Sequence, residues 1–378
     1  MTCHFAVSTG TYGPEEHPHD RHRVPRVEDL EDHPLVKAAR RLADDVLAPA
    51  AEAHDRTGVT PEAIAAVKAS GVLGVNAPVA YGGSGASAAV GREVAEILAG
   101  ACCSTFFVQV QHHTPVRTLA TGDAEARERW LRPLAEGTAL AGIAFSHLRA
   151  FPKLPVRATP LAGGGVRFDG RVPWYTGWGL NDVFLLGGAT EDGEVVFAVA
   201  RPREQPGLTP TAPLALAALT GTRTVGLALD GLTVPEEDIV VRQPYEEWAR
   251  ADRPKNTNTN PAVFGVARAA LGLLDAAGDA EAKETAGVLR ARLDGARRDA
   301  YALVDEVPAG ERLADRLAVK TRAYDLMRAA TTAAVVAGGG RAFSLSAPAQ
   351  RLAREGLFLV VQGQTADVRA AHLAALRA

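Results

Sequence analysis

Apolar residues recur at three- and four-residue spacing from Leu35 to about Leu140, the pattern of amphipathic helices. One helix is punctuated at both ends: Thr60 stands at the cap, Pro61 at the first helical position, Ile64 and Val67 on one face, and Gly71 at the stop. Gly122-Asp123 announces another, running from Ala124 to Leu134. Between them lie the turn Tyr81-Gly82-Gly83-Ser84-Gly85 and an apolar helix around Val94 to Leu98. From about Ala141 to Trp248 the texture changes. Val183 to Gly187, Val195 to Val199 and Val225 to Leu229 read as strands, with Asp169-Gly170, Asp192-Gly193 and Asp230-Gly231 as turns between them. After Asn260-Pro261 helical spacing returns, in Val263 to Leu274 and Leu313 to Met327. The expectation is an α+β chain: a polar tail over 1–33, an N-terminal helical domain over 34–140, a central antiparallel β domain over 141–248 and a C-terminal helical bundle over 249–378.

With 378 residues and 47% apolar composition, the chain can bury a large core. Forty-one Lys and Arg against 44 Asp and Glu give a net charge of −3, which offers no basic field for nucleic acid. The three cysteines, Cys3, Cys102 and Cys103, make no disulfide framework and suggest a reducing compartment. The start, Met1 to His22, lacks a basic stretch followed by an apolar one. Ala329 to Gly340, among the longest charge-free helical stretches, is shorter than the roughly 20 residues of a membrane span. A cytoplasmic protein with no membrane partner is expected. His4, His17, His19, His22 and His33 fall in the tail at irregular spacing, without the fixed ligand pattern of a metal site, and no metal is expected.

The chain carries Gly71-Val72-Leu73-Gly74, then Pro78 and Tyr81 to Gly85, then Gly122 with its helix to Gly137. Further on come Gly170-Arg171-Val172-Pro173-Trp174-Tyr175-Thr176-Gly177, and Gly221-Thr222-Arg223 through Leu229 to Val234-Pro235. In this order and spacing it resembles the acyl-CoA dehydrogenase-type flavoproteins over nearly everything after the tail. The resemblance implies a C-terminal four-helix bundle, FAD between the β domain and that bundle, and a homodimer or homotetramer. Trp174, Tyr175 and Thr176 would then border the flavin ring, with Ser146 and Thr365 as further cofactor contacts. An indole supplies a flat apolar wall, and a hydroxyl beside the redox-active nitrogen tunes a cofactor that carries the hydride chemistry.

Departures from the family pattern bear on chemistry. Abstraction of an α-proton needs a base that reaches the carbon. Where most members have a Glu-Gly-Thr turn, this chain reads Val360-Val361-Gln362-Gly363-Gln364-Thr365, so the Glu position falls on Gln362 or Gly363. The other place where relatives keep a base, counted back from Gly272, falls on Ala262. The Gly-Ser-Asp loop is replaced by Ser146-His147-Leu148-Arg149-Ala150-Phe151-Pro152. The Arg-x-x-Phe-Gly stretch is missing between Gly278 and Leu293, and Ala334 or Val335 replaces a Gln before Gly338-Gly339-Gly340. Arg149, Arg341 and Arg369 could supply replacement phosphate contacts, since guanidinium binds phosphate in a fork.

His112, His113 and His147 are candidate bases, with a hydrogen-bonded structural histidine as the ordinary alternative for each. Gln362 completes the catalytic candidates, and Glu355 and Asp367 flank it. Cys102-Cys103 reads as packing. Three functions follow: a FAD-dependent oxidoreductase acting on an acyl thioester or related acyl substrate, CoA- or carrier-bound, with a moved base; a flavin monooxygenase on the same scaffold, which needs no α-proton base; or a catalytically silent subunit of a hetero-oligomer.

Overall fold

A computed structural model describes residues 30–377. Helices α1 (Pro34–Leu42), α2 (Ala48–Thr57), α3 (Pro61–Ala69), α4 (Ala88–Ala101), α5 (Cys103–Val110), α6 (His113–Thr121) and α7 (Ala124–Ala135) come first. Thr60 caps α3 through a 3.2 Å bond from the Ala63 amide, and Asp123 caps α7 through a 2.9 Å bond from the Glu125 amide. Order extends into the stretch expected as tail. Leu30 is buried, and His33 caps α1, its Nδ1 accepting from the Leu35 amide at 3.2 Å. The other four histidines named there lie outside the described residues.

Strands β1 (Ala141–Ala144), β2 (Val156–Pro160), β3 (Val166–Tyr175), β4 (Val183–Ala189), β5 (Glu194–Ala200), β6 (Leu208–Pro210), β7 (Val225–Val234) and β8 (Ile239–Pro244) form one sheet in the order β6-β7-β3-β2-β4-β5-β8, with β1 beside β4. The sheet is mixed, which corrects the expectation of a purely antiparallel one. β1 runs parallel to β4 from Ala141↔Val183 to Ala144↔Leu186, and β2 touches β4 in parallel at Arg157↔Ala189. Strand direction leaves no mark in residue composition, whereas burial does. Every residue of β4 is buried, because one face packs within the sheet's own core while α6 and α7 cover the other through Val116, Leu119, Leu131 and Leu134.

Only one of the three expected turns is a turn, Asp192-Gly193 between β4 and β5. Asp169-Gly170 lies inside β3, and Gly231, with φ 74°, is a bulge in β7 opposite it. The Asp169 carboxylate accepts from the Gly231 amide at 2.8 Å, so the polar pair that reads as two turns is one cross-strand device.

Helix α8 (Tyr245–Thr257) leads to α9 (Pro261–Ala277), α10 (Ala280–Asp305), α11 (Leu313–Gly338), α12 (Pro348–Val361) and α13 (Ala366–Ala375). Trp248, the expected end of the β domain, sits within α8. The N-terminal helices and the bundle share one core, in which Val94 and Leu98 join Phe264 and Leu271. Helices α4 and α9 approach so closely that a Cβ on Gly265 would stand 2.1 Å from the Glu96 carbonyl oxygen, so glycine is required by space. No described helix is long and apolar enough to cross a membrane.

Candidate functional site

Strand alternation splits the Trp174-Tyr175-Thr176 segment at the end of β3. Tyr175 is fully buried, its hydroxyl accepting from Asn181 Nδ2 at 3.0 Å, whereas the Trp174 side chain is 55% exposed. The indole therefore leaves a flat apolar face open to solvent. Thr176 is buried, and its Oγ1 lies 3.0 Å from Thr224 Oγ1. Thr224 Oγ1 is in turn 2.8 Å from Thr222 Oγ1, and Thr222 donates to the Leu219 carbonyl at 2.8 Å.

Ser146 and His147 follow β1 in a 3₁₀ segment, Ser146–Ala150. Ser146 is exposed. His147 is buried, Nε2 donating to the Gly187 carbonyl at 2.8 Å, and burial pushes its pKa down to about 4. The segment is fixed to α8. Arg149 sends both arms to Asp252, Nε at 2.7 Å and Nη2 at 3.0 Å; the Tyr245 hydroxyl donates to the Leu148 carbonyl; and the Phe151 and Tyr245 rings stack at 4.0 Å. Arg149 is therefore not the free phosphate contact expected from the sequence, because its fork is already filled by a carboxylate.

His112 is fully buried and both ring nitrogens are engaged. Nε2 donates to the Leu134 carbonyl and Nδ1 accepts from the Ala141 amide, each at 3.1 Å, and burial lowers its pKa to about 4. This neutral imidazole joins the end of α7 to the start of β1. It has no lone pair left for a substrate proton, so the base expected here is absent from His112. His113 is partly exposed, its ring edge-on to His112 at 5.8 Å, and burial, then His112 and Arg117, lower its pKa to about 3. Such an imidazole is uncharged at neutral pH and weakly basic.

A second locus lies where α9 begins and α12 ends. Asn260 caps α9, Oδ1 accepting from the Ala262 amide at 3.0 Å, and its Nδ2 donates to Gln362 Oε1 at 3.0 Å. The cap fixes which end of the Asn260 amide is which, and so fixes Gln362. Its oxygen faces Asn260 and its Nε2 is a donor with no protein partner among the described residues. Two carboxamides are thus paired beside the turn where the resemblance leads one to expect a carboxylate at 362 or 363. Ala262 is buried beside them and carries no base. Thr365 Oγ1 caps α13, accepting from the Val368 amide at 3.4 Å. Asp367 is ion-paired with Arg253 at 2.8 Å. Glu355 is wholly buried, both oxygens held at 2.9 Å by Arg351 Nη1, and burial raises its pKa to about 7.

Helix α5 links the two loci. It packs on β1 and on the Thr220–Thr222 turn on one side, and on the other Phe107 meets Phe358 of α12 edge-on at 4.8 Å. Several contributors carry no chemical signal in the sequence. Asn260 reads there only as a helix start, and Thr222 only as part of the Gly221-Thr222-Arg223 motif. Thr224, Asp252 and Lys320 carry no local mark at all. The buried Lys320 ammonium donates to the carbonyls of Asn256 at 3.1 Å and Asn258 at 3.0 Å, which closes the end of α8 just before Asn260.

Residues 30–138 match the model of the acyl-CoA dehydrogenase N-terminal domain. A probable acyl-CoA dehydrogenase, YngJ of Bacillus subtilis (strain 168), is 26% identical over 211 residues, covering 53% of this chain and 55% of that protein. Dibenzothiophene monooxygenase of Rhodococcus erythropolis is 30% identical over 200 residues, 51% of this chain and 47% of that protein. The chain thus spans about half the length of the curated relatives it matches. Among solved structures, a glutaryl-CoA dehydrogenase of Mycobacterium smegmatis in complex with FADH2 superposes with a TM-score of 0.75 at 18% identity, covering 93% of this chain and 96% of that one. Residues 30–138 thus match an acyl-CoA dehydrogenase N-terminal domain, and the helical block, mixed sheet and helical bundle in this order are the acyl-CoA dehydrogenase-like fold.

Proposed function

We propose that this chain is a FAD-dependent oxidoreductase that works without a carboxylate base at position 362, its chemistry being of the monooxygenase type on a small acyl or related substrate. The observation that carries this reading is the Asn260–Gln362 amide pair. An amide does not take up a proton near neutral pH. It can donate, and a donor in a partly desolvated site stabilises negative charge developing on a substrate oxygen. The kinship with a dibenzothiophene monooxygenase supports the same reading.

The residues at the ring end fit FAD. Trp174 offers an exposed apolar face, Thr176 a buried hydroxyl, and Ser146 an exposed one. Bound there, FAD would supply the two-electron redox chemistry. Trp174 would set the plane of the ring, Thr176 would meet its edge, and Gln362 would hold the substrate oxygen. Arg341 and Arg369 are exposed and make no ion pair among the described residues, which leaves them available to a phosphate. Acyl thioester dehydrogenation is the second reading. It is supported by the acyl-CoA dehydrogenase N-terminal match, and is the weaker reading because its base would have to be His113, which burial holds weakly basic.

The test is spectroscopic. Full-length protein mixed with FAD and desalted should be yellow. Reduced chemically and exposed to oxygen, it should consume oxygen with a substrate present, and an acyl-CoA added without oxygen should leave the colour unchanged. Anaerobic bleaching by acyl-CoA would establish the dehydrogenase instead. A colourless protein would establish the silent subunit. A homodimer or homotetramer is part of the same reading. It is supported by exposed Val336, Phe343 and Leu376 at the bundle end and by a groove of about 820 Å³ between α10 and α11, and light scattering would check it.

A further inference from the structure

We propose that Thr222 and Thr224 are positioning residues that orient the Thr176 hydroxyl as a hydrogen-bond acceptor toward the ring, so that the site favours the reduced cofactor, whose ring edge carries the N–H. This rests on the FAD reading above.

Each hydroxyl has one hydrogen to give. Thr222 gives its own to the Leu219 carbonyl, a pure acceptor, at 2.8 Å. In the 2.8 Å contact between Thr222 and Thr224 the donor must then be Thr224. Thr224 is thereby spent, so in the 3.0 Å contact between Thr224 and Thr176 the donor is Thr176. All three residues are buried, so water does not reset the direction. What Thr176 has left is a lone pair. A lone pair at the ring edge matches an N–H and opposes a bare nitrogen.

The backbone around the relay is held in an uncommon conformation that serves it. Leu219 and Arg223, neither of them glycine, have φ of 55° and 50°, on either side of Thr222. The Asp55 carboxylate accepts from the Leu219 amide at 3.0 Å. The Thr222 carbonyl accepts from the Gly177 amide at 2.9 Å, which ties the turn directly to the residue after Thr176. The turn that carries Thr222 is thus fixed at both ends, by a helix of the N-terminal block and by the end of β3.

The experiment measures the midpoint potential of FAD bound to full-length wild type, Thr222→Val, Thr222→Ser, Thr224→Val and Thr176→Val by dye equilibration. In Thr222→Val the proton of Thr224 has no other acceptor, turns to Thr176, and frees the Thr176 proton for the ring. The reduced-to-oxidised ratio at fixed potential should fall roughly tenfold, the scale of one hydrogen bond. Thr224→Val should shift the same way, and Thr222→Ser should keep the wild-type value. A Thr222→Val potential equal to wild type, with FAD bound and Thr176→Val shifted, overturns the relay and leaves the FAD reading intact. A wild type that holds no FAD overturns both. Should Thr222→Val fail to fold, Thr224→Val and Thr222→Ser decide the question.

Discussion

Asn260 performs two tasks with one amide: its oxygen caps α9 at the Ala262 amide and its nitrogen binds Gln362, each at 3.0 Å. Helix formation and the orientation of the candidate catalytic amide are therefore set by the same side chain. Gln362→Glu tests what this arrangement withholds. Asn260 Nδ2 would still donate to the new carboxylate, and a base would now stand at the turn. Anaerobic bleaching of FAD-loaded protein by an acyl-CoA should then exceed wild type by about 10²- to 10⁴-fold, the usual worth of a placed base. An unchanged rate would remove position 362 from the active site.

Trp174→Ala separates ligand contact from stability. The indole is 55% exposed, so its loss should change the melting free energy by no more than about 0.5 kcal/mol, as for other surface positions. The affinity for FAD should fall tenfold or more, on the order of the loss of one stacked aromatic. Flavin fluorescence titration measures the affinity; equal affinities would place the ring elsewhere.

His112 predicts an acid limit. Its folded pKa of about 4 lies below the ordinary value near 6.5, so the unfolded chain binds the proton first. The contribution is present above pH 6.5 and is lost as pH falls through about 4, a loss of about 3 kcal/mol from a shift of this size. His147, shifted in the same direction to about 4, adds to the slope. Chemical denaturation at stepped pH should show stability falling across this window, and His112→Gln should flatten the fall. An equal slope in the variant would place the proton uptake elsewhere.

Gly265→Ala tests the contact between the two helical blocks. A Cβ 2.1 Å from the Glu96 carbonyl cannot be accommodated without separating α4 from α9, since the obstacle is backbone. The expected cost is about 3 kcal/mol or more. Ala substitution at Gly272, also in α9 but with open space around it, should be neutral or stabilising. Thermal melts of the two variants make the comparison.

The order of elements is legible in the sequence, because it is written in local signals: three- and four-residue apolar spacing, Thr60 and Asp123 at helix starts, and β-rich runs at 183, 195 and 225. The sequence also shows that neither Gln362 nor Gly363, the two residues that could stand where a carboxylate was expected, is a base. The tertiary structure alone decided strand direction, since β1 and β4 pair in parallel across the 38 intervening residues from 145 to 182 and composition does not record the sense of a strand. It alone decided that Asp169-Gly170 and Asp230-Gly231 are one cross-strand device, that His112 and Arg149 are spent on internal partners, and that three threonines line up with Thr176 at one end. A side chain's chemistry depends on which of its atoms already have partners. Those partners stand 29 residues away for His112, 103 for Arg149 and 48 for Thr176, beyond the reach of any local pattern.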